Sequence, residues 1–416
     1  MQNHPTKRIY SILHSLKSLG PSRISLGLYL VFTLSAIVFI APFVAFAGRK
    51  AFTYLNPGYF LVALFAGMGV AAAISIATRA RCLRFLATRK AFLFYTIGGT
   101  ALLLAIEALV VQGAWFTTGW DVRRLASSAD PTLEAQSDYL SHNDDYFSTY
   151  PNQLFLAGLF SRIVKLGALM GFDNSYLCLV VGSCLCVCGS ILLISFVAQK
   201  MSGFAAGYCC FSTCFFFLGL SPWILVPYSD TYGMAFTSLS LWFYVCCESR
   251  FIKWPGLAFC VVIGYAIKPT VVFVGVAIVA IEAWQRITQK RSFHIKPRTP
   301  FAVLAVIASA LIATLLVSTM RLPISNFDDT KSFSSSHFLM MGFNQTTGGM
   351  WASDDVALSR SMPTQRERQE ANIKEWFGRV QEAGVSGTAK LLTKKNALEL
   401  FGRQLRMGSG GRLLPR

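Results

Sequence analysis

The sequence predicts an all-α polytopic membrane protein, GT-C-like in layout, with about nine transmembrane helices, extracytoplasmic loops and surface helices. Three observations carry that prediction. Of the 416 residues, 54% are hydrophobic and only 14% are charged, whereas a soluble domain is usually about a quarter charged. The apolar residues fall in runs close to the ~20 residues a helix needs to cross hydrocarbon. The Lys and Arg behind the net charge of +18 gather in short segments beside those runs. In a soluble chain that charge would point to nucleic acid. Beside apolar runs it serves as anchoring against anionic membrane lipids, so no nucleic-acid partner is expected.

Residues 1–25 carry Lys7, Arg8, Lys17 and Arg23 without an acid, and read as a cytoplasmic N-terminus. Apolar runs at 26–47, 58–77 and 91–112 make residues 26–112 a group of three spans. The connection before the third run holds Arg79, Arg81, Arg84, Arg89 and Lys90, against Arg49 and Lys50 in the first connection. The positive-inside rule therefore puts the more basic connection in the cytoplasm and sends the third helix outward. Residues 113–175 become an extracytoplasmic loop containing Asp121, Asp130, Glu134, Asp138, Asp144 and Asp145. Within it, 154–172 is apolar but interrupted by Arg162 and Lys165. Basic residues in mid-span are costly, so this stretch reads as an amphipathic helix on the outer surface.

A transmembrane bundle follows over 176–319, with spans at 176–198, 204–221, 231–247 and 301–319. Between the last two, 255–284 is apolar but broken at Lys268-Pro269-Thr270, which predicts two short helices with their turn toward the outer side. Lys200, the pair Arg250 and Lys253, and the group Arg286, Lys290, Arg291, Lys296 and Arg298 all fall on the cytoplasmic side of this register. Residues 320–416 then form an extracytoplasmic C-terminal segment, helical in pattern near 363–384. Its glycine- and arginine-rich end, 405–416, is unlike the rest and reads as a truncated or frame-shifted terminus. The eleven cysteines lie in or beside apolar stretches at scattered spacings and read as packing thiols.

Four polar features share the outer side: Trp120-Asp121, residues 144–153, residues 227–231 (PYSDT), and 334–349 around His337. Lys268 joins them at the break. Carboxylates and a lysine at a membrane surface suit a reaction on an anionic lipid. The cation holds a phosphate while a carboxylate takes a proton from the incoming nucleophile.

An outward-ending helix, a loop opening with WD, a surface helix introduced by YPNQ, two spans, and an Asp at the outer end of the next loop resemble the GT-C superfamily of membrane glycosyltransferases. The likeness covers roughly residues 91–400 and is nearest the protein O-mannosyltransferase and lipid A aminoarabinose transferase branch (glycosyltransferase family 39-like), through the YPN, PYSD, KPT and HFLMMGFN stretches. It implies transfer of a sugar from a polyprenyl-phosphate donor to an extracytoplasmic acceptor, a wall polymer, lipid or protein. By the same resemblance Asp121 is the general base and Asp230 an acid shaping the acceptor or metal site. Lys268, or Arg162 with Lys165, holds the carrier phosphate, and Tyr228, Asn152 and His337 complete the substrate-binding set. The resemblance leaves a divalent metal ion open and indicates no other cofactor.

Each assignment has a plainer alternative. Asp121 and Asp230 are also suited to helix N-termini, Asp144 and Asp145 to a solvated turn, His337 to a structural hydrogen bond, and Lys268 to snorkelling toward the interface. Glu107, inside the third run, is left as structural. The competing function is a transporter or flippase of lipid-linked sugars. Such a protein would place ionisable groups near the bilayer midplane and often shows duplicated halves. Here the acids cluster in outer loops and no internal repeat is visible.

Overall fold

The computed structural model describes residues 88–114, 120–130, 144–288 and 299–401, and the regular structure among them is helical throughout. The helices are α1 (Arg89–Ala114), α2 (Trp120–Ala129), α3 (144–149), α4 (Leu154–Leu169), α5 (Ser175–Ser202), α6 (Phe204–Cys214) and α7 (Ser229–Cys246). After these come α8 (Arg250–Ile267), α9 (Val272–Thr288), α10 (Thr299–Met320), α11 (Ser335–Gly342), α12 (Ser353–Ser361) and α13 (Gln365–Phe401). In hydrocarbon every backbone N–H and C=O needs an internal partner, and a long apolar run meets that demand only as a helix.

Five helices among the described residues are long and apolar enough to cross a membrane: Arg89–Gln112, Ser175–Ser202, Arg250–Ile267, Pro269–Thr288 and Pro300–Met320. This is fewer than the nine expected. The runs 26–47 and 58–77 lie outside the described residues. The 204–221 run forms a shorter apolar helix, Phe204–Gly219, whose last turn widens to a π-helix over Phe215–Gly219. The 231–247 run is helical as α7, but Thr231, Thr237, Ser238 and Ser240 dilute its apolar character and it is not among the five. The chain is an all-helical, multi-pass membrane protein.

Local chemistry sets the helix ends. Asn174 caps α5, its side chain accepting from the backbone N–H of Leu177 at 3.0 Å. Gly203 ends α5 at φ 90°, a left-handed conformation that glycine adopts without strain, and lets α6 turn back. Lys268 breaks the 255–284 run. The residue before a proline is pushed out of the helical region, and Lys268 is extended at φ −145°, ψ 113°, before the short 3-10 turn Pro269–Val271 and α9.

Successive helices from α5 to α10 run in alternate directions, which gives the bundle two ends. One carries the 171–174 turn, Tyr228 to Asp230, Lys268 and Met320. The other carries the α7–α8 turn, where Lys200 pairs with Glu248 at 3.0 Å. One core gathers at the first end around α4: Phe147, Leu156, Phe160, Leu179, Tyr232, Ile263 and Ala313. A second fills the space between α1, α5 and α6 with Leu103, Val111, Val180, Val187, Ile191 and Phe211.

The apolar stretch 154–172, expected as an amphipathic surface helix, folds as α4. It buries Leu154 to Gly158, Phe160, Val164 and Gly167 and leaves Arg162, Lys165, Leu166 and Leu169 exposed. The segment after α10 folds back along it. The N–H of Leu322 donates to the carbonyl of Leu154 at 3.0 Å and that of Phe333 to Thr149 at 2.9 Å. The side chains inside the α11–α13 unit are largely polar: His337, Ser359, Asn372, Asp355 and Arg368 are all buried. Asp355 sits between Arg379 at 2.6 Å and the Asn344 amide at 3.1 Å.

Candidate functional site

Helix α2 puts Asp121 in its first turn, where the helix dipole favours a carboxylate. Val122, Leu125 and Ala129 form its buried face, and this face packs on α4. The helix is therefore fixed against the core, with Asp121 at its free end. Tyr228, the residue before α7, donates its hydroxyl to Asp121 Oδ2 at 3.0 Å. Tyr146 of α3 lies close enough to the same carboxylate to feel its charge. Burial first, then the negative charge of Asp121, pushes the Tyr146 phenol far above its ordinary value, so it stays a donor. The guanidinium of Arg124 lies 5.4 Å from the Tyr146 ring centre. Tyr150, whose phenol is also raised, chiefly by burial with Asp121 adding to it, continues the aromatic wall. Its ring centre is 5.2 Å from that of Tyr146.

Two residues beyond Tyr228, Asp230 occupies the first turn of α7 and forms an ion pair with Lys268 at the α8–α9 break. The two side chains are 38% and 28% exposed, so the pair can be reached from outside the protein. The fold thus brings together Asp121, Tyr228, Asp230 and Lys268, four of the residues the sequence singled out, from three segments far apart in the chain.

The other expected site residues have separate places. Arg162 donates to the carbonyls of Gly158 and Met320, each at 2.8 Å, and of Thr319 at 3.0 Å. It closes the C-terminal end of α10, where a cation complements the dipole. Lys165, one turn on, is exposed, as is Asn152 on the 3-10 turn Pro151–Gln153. His337 is fully buried, with its Nδ1 2.7 Å from Ser359 Oγ and its ring stacked on Phe333 at 4.0 Å. Asp144 and Asp145 hold the C-terminal segment. Asp144 accepts from Asn326 at 2.9 Å, and Asp145 pairs with Lys331 at 3.2 Å and Arg360 at 3.1 Å. Glu107 is buried within α1 and accepts the Cys188 thiol at 3.3 Å. Among the described residues no three His, Cys, Asp or Glu side chains gather in a way that could hold a metal ion.

Sequence reasoning missed Tyr146 and Tyr150. Both lie in the acidic stretch already marked, but their phenols gain meaning only when α2 and α3 meet.

No curated protein matches the chain, and no solved structure does. A family model does match, over residues 25–400, nearly the whole sequence. The chain belongs to the family described as conserved hypothetical integral membrane protein.

Proposed function

We propose that the protein is an integral-membrane glycosyltransferase of GT-C type that moves a sugar from a polyprenyl-phosphate donor to an extracytoplasmic acceptor. One observation carries the reading: Asp121 and the Asp230–Lys268 pair stand at the same end of the bundle, joined through Tyr228. The reaction needs a base within reach of the acceptor hydroxyl and a cation for the departing phosphate. In the step proposed, the acceptor oxygen bonds to the anomeric carbon as the bond from that carbon to the carrier phosphate oxygen breaks. The hydroxyl proton passes to Asp121, and the polyprenyl phosphate leaves with the electron pair beside Lys268. Asp230 restrains the ammonium before a phosphate displaces it. Tyr228 fixes the orientation of the Asp121 carboxylate. The site end is extracytoplasmic in this reading, and membrane lipids deliver the donor laterally.

Glu107 favours a second reading, a transporter or flippase of lipid-linked sugars. It is a carboxyl buried inside a candidate span, with Oε1 lacking a hydrogen-bond partner, and intramembrane acids often mark transport pathways.

Membranes carrying the full chain, supplied with radiolabelled polyprenyl-phosphate hexoses, separate the two. The transferase reading expects label on an acceptor, reduced by a factor of at least about 10² in Asp121→Asn and retained in Glu107→Gln. Equal transfer by wild type and Asp121→Asn would remove Asp121 from the chemistry. Lipid-linked sugar that crosses the bilayer without transfer, and stops crossing in Glu107→Gln, would establish the second reading instead.

A further inference from the structure

Helix α13 reverses the arrangement a helix takes in water. Its side toward α11 and α12 is polar and buried. Arg368 donates to the carbonyl of Ser359 at 2.7 Å and to those of Thr330 and Ser332, each at 2.9 Å. Asn372 is fully buried between Ser336 and Ser359, and Arg379 pairs with buried Asp355. The opposite side carries Ile373, Phe377 and Val380, spaced four and three residues apart and therefore aligned in one stripe. Ile373 is 43% exposed and Phe377 53%, with Val380 half-buried. Helix α11 repeats the inversion, with Ser336 and His337 buried while Phe338 and Leu339 are exposed. Single apolar residues on a surface are ordinary, but a polar interior behind an apolar exterior on the same helices is not.

That polarity suits hydrocarbon outside and hydrogen bonds within, and the unit lies where hydrocarbon is close. It begins at the end of α10, a candidate span that stops at Met320. Two residues on, Leu322 bonds to Leu154 of α4, and the ring of Phe338 lies 6.4 Å from that of Tyr150, just before the turn into α4. Helix α4 itself exposes Leu166, Leu169 and Met170 at this end of the bundle. The charges beside the α13 stripe fit the same neighbour. Arg366 holds Glu370 and Arg379 holds Glu375, each at 2.9 Å. Lys374, exposed one turn before Phe377, can therefore extend its ammonium to a lipid phosphate. Trp376 borders the stripe, a residue type enriched where lipid meets water.

We infer that the Ile373, Phe377 and Val380 stripe of α13 is a lipid-docking surface. It seats the C-terminal unit in the interfacial layer of the leaflet at the site end of the bundle, its apolar side chains among the upper acyl chains and Lys374 among the phosphates. The inference needs only the multi-pass membrane architecture and is independent of the reaction proposed above. Because Asp145 is tied to Lys331 and Arg360, a seated unit also holds α3 at a fixed depth.

Photo-cross-linking reads what touches the stripe. The full chain, with p-benzoylphenylalanine in place of Phe377, is irradiated in nanodiscs of phosphatidylethanolamine and phosphatidylglycerol and analysed by mass spectrometry. The position is exposed and keeps an aromatic ring, so the fold is preserved. We expect the peptide carrying residue 377 to gain the mass of one phospholipid, and the same gain with the probe at Ile373 instead. Ile373→Asp combined with the probe at position 377 puts a charge into the stripe, and should lower the yield of lipid adduct at least about threefold. An adduct to protein in place of lipid, whether to a second copy or to residues 26–77, overturns the inference. So does the absence of any adduct, which would leave the stripe in water. A lipid adduct formed equally well with Ile373→Asp overturns it too, since the stripe would then touch lipid without being held by it.

Discussion

His337 is fully buried, and its Nδ1 sits against Ser359, whose hydroxyl donates onward to Asn372 at 2.9 Å. With that hydroxyl proton committed, Nδ1 carries the imidazole hydrogen and Nε2 keeps a bare lone pair, which has no hydrogen-bond partner. A second proton would have to sit on Nε2 with no acceptor to meet it. Burial therefore pulls the imidazole from 6.5 down to about 4, with Asp355 opposing the shift and Arg368 adding to it. The sign follows from linkage. Below pH 6.5 the unfolded chain takes up a proton that the folded unit refuses, so stability is complete above about 6.5 and falls as pH drops toward about 4. The loss is on the order of 3 kcal/mol across that window. The hydrogen-exchange protection of the α11–α13 unit, corrected for the intrinsic exchange rate at each pH, should fall between pH 7 and 4.5 in wild type and lose this pH slope in His337→Gln. An unchanged slope in the variant would assign the effect elsewhere. The sequence already marked His337 with its structural alternative open, and burial between Ser359 and Phe333 fits that alternative. It gave no hint of Asn372 or Arg368, because a polar core in a short helical unit has no periodic signature to read.

At the scale of helices, the contact between α4 and the end of α10 is made through a missing side chain. A Cβ on Gly158 would stand 1.8 Å from the Met320 carbonyl oxygen and 2.8 Å from the Leu322 nitrogen, both backbone atoms that cannot step aside. The same junction holds the bonds from Arg162 to Thr319 and Met320 and the bond from Leu322 to Leu154. Gly158→Ala should therefore push the two helices apart and cost about 1–3 kcal/mol through overpacking. Arg162→Met should cost about 1–2 kcal/mol, since it leaves carbonyls without their donor. Thermal unfolding in detergent measures both, and protease cleavage within 320–334 should rise more for Gly158→Ala. A Gly158→Ala protein as stable and protease-resistant as wild type would show that the junction is not close-packed. The contrast with Lys268 explains what could be read in advance. The KPT break was legible because a proline constrains its immediate neighbour. The junction was not, because Arg162 finds its carbonyl partners 157 and 158 residues along the chain, and its charge alone fitted a phosphate equally well.

For the molecule as a whole, the two ends of the bundle differ in charge, and that difference makes the orientation testable. The end away from the site carries Lys90, Lys200, Arg250, Lys253 and Arg286, with Glu248 bound to Lys200 and Glu282 to Tyr244. The site end mixes Asp121, Asp144, Asp145, Asp173 and Asp230 with its basic residues. In the orientation proposed above, the positive-inside rule puts the end away from the site in the cytoplasm. The contacts of Asp145 with Lys331 and Arg360 then oblige the C-terminal unit to lie on the same side as α2 and α3. Short epitopes inserted into the full chain at the exposed 171–174 turn, at Glu248 and beside Asp354 should give a fixed pattern. In cells with an opened outer barrier and an intact inner membrane, antibody should reach the first and third sites, and it should reach Glu248 only after permeabilisation. Reversal of all three signals would invert the protein and put Asp121 in the cytoplasm, against a donor presented on the outer face. A split between the 171–174 and Asp354 sites would be more damaging. It would deny the clasp between the acidic loop and residues 326–360, which the bonds of Asp144 to Asn326 and of Asp145 to Lys331 and Arg360 make.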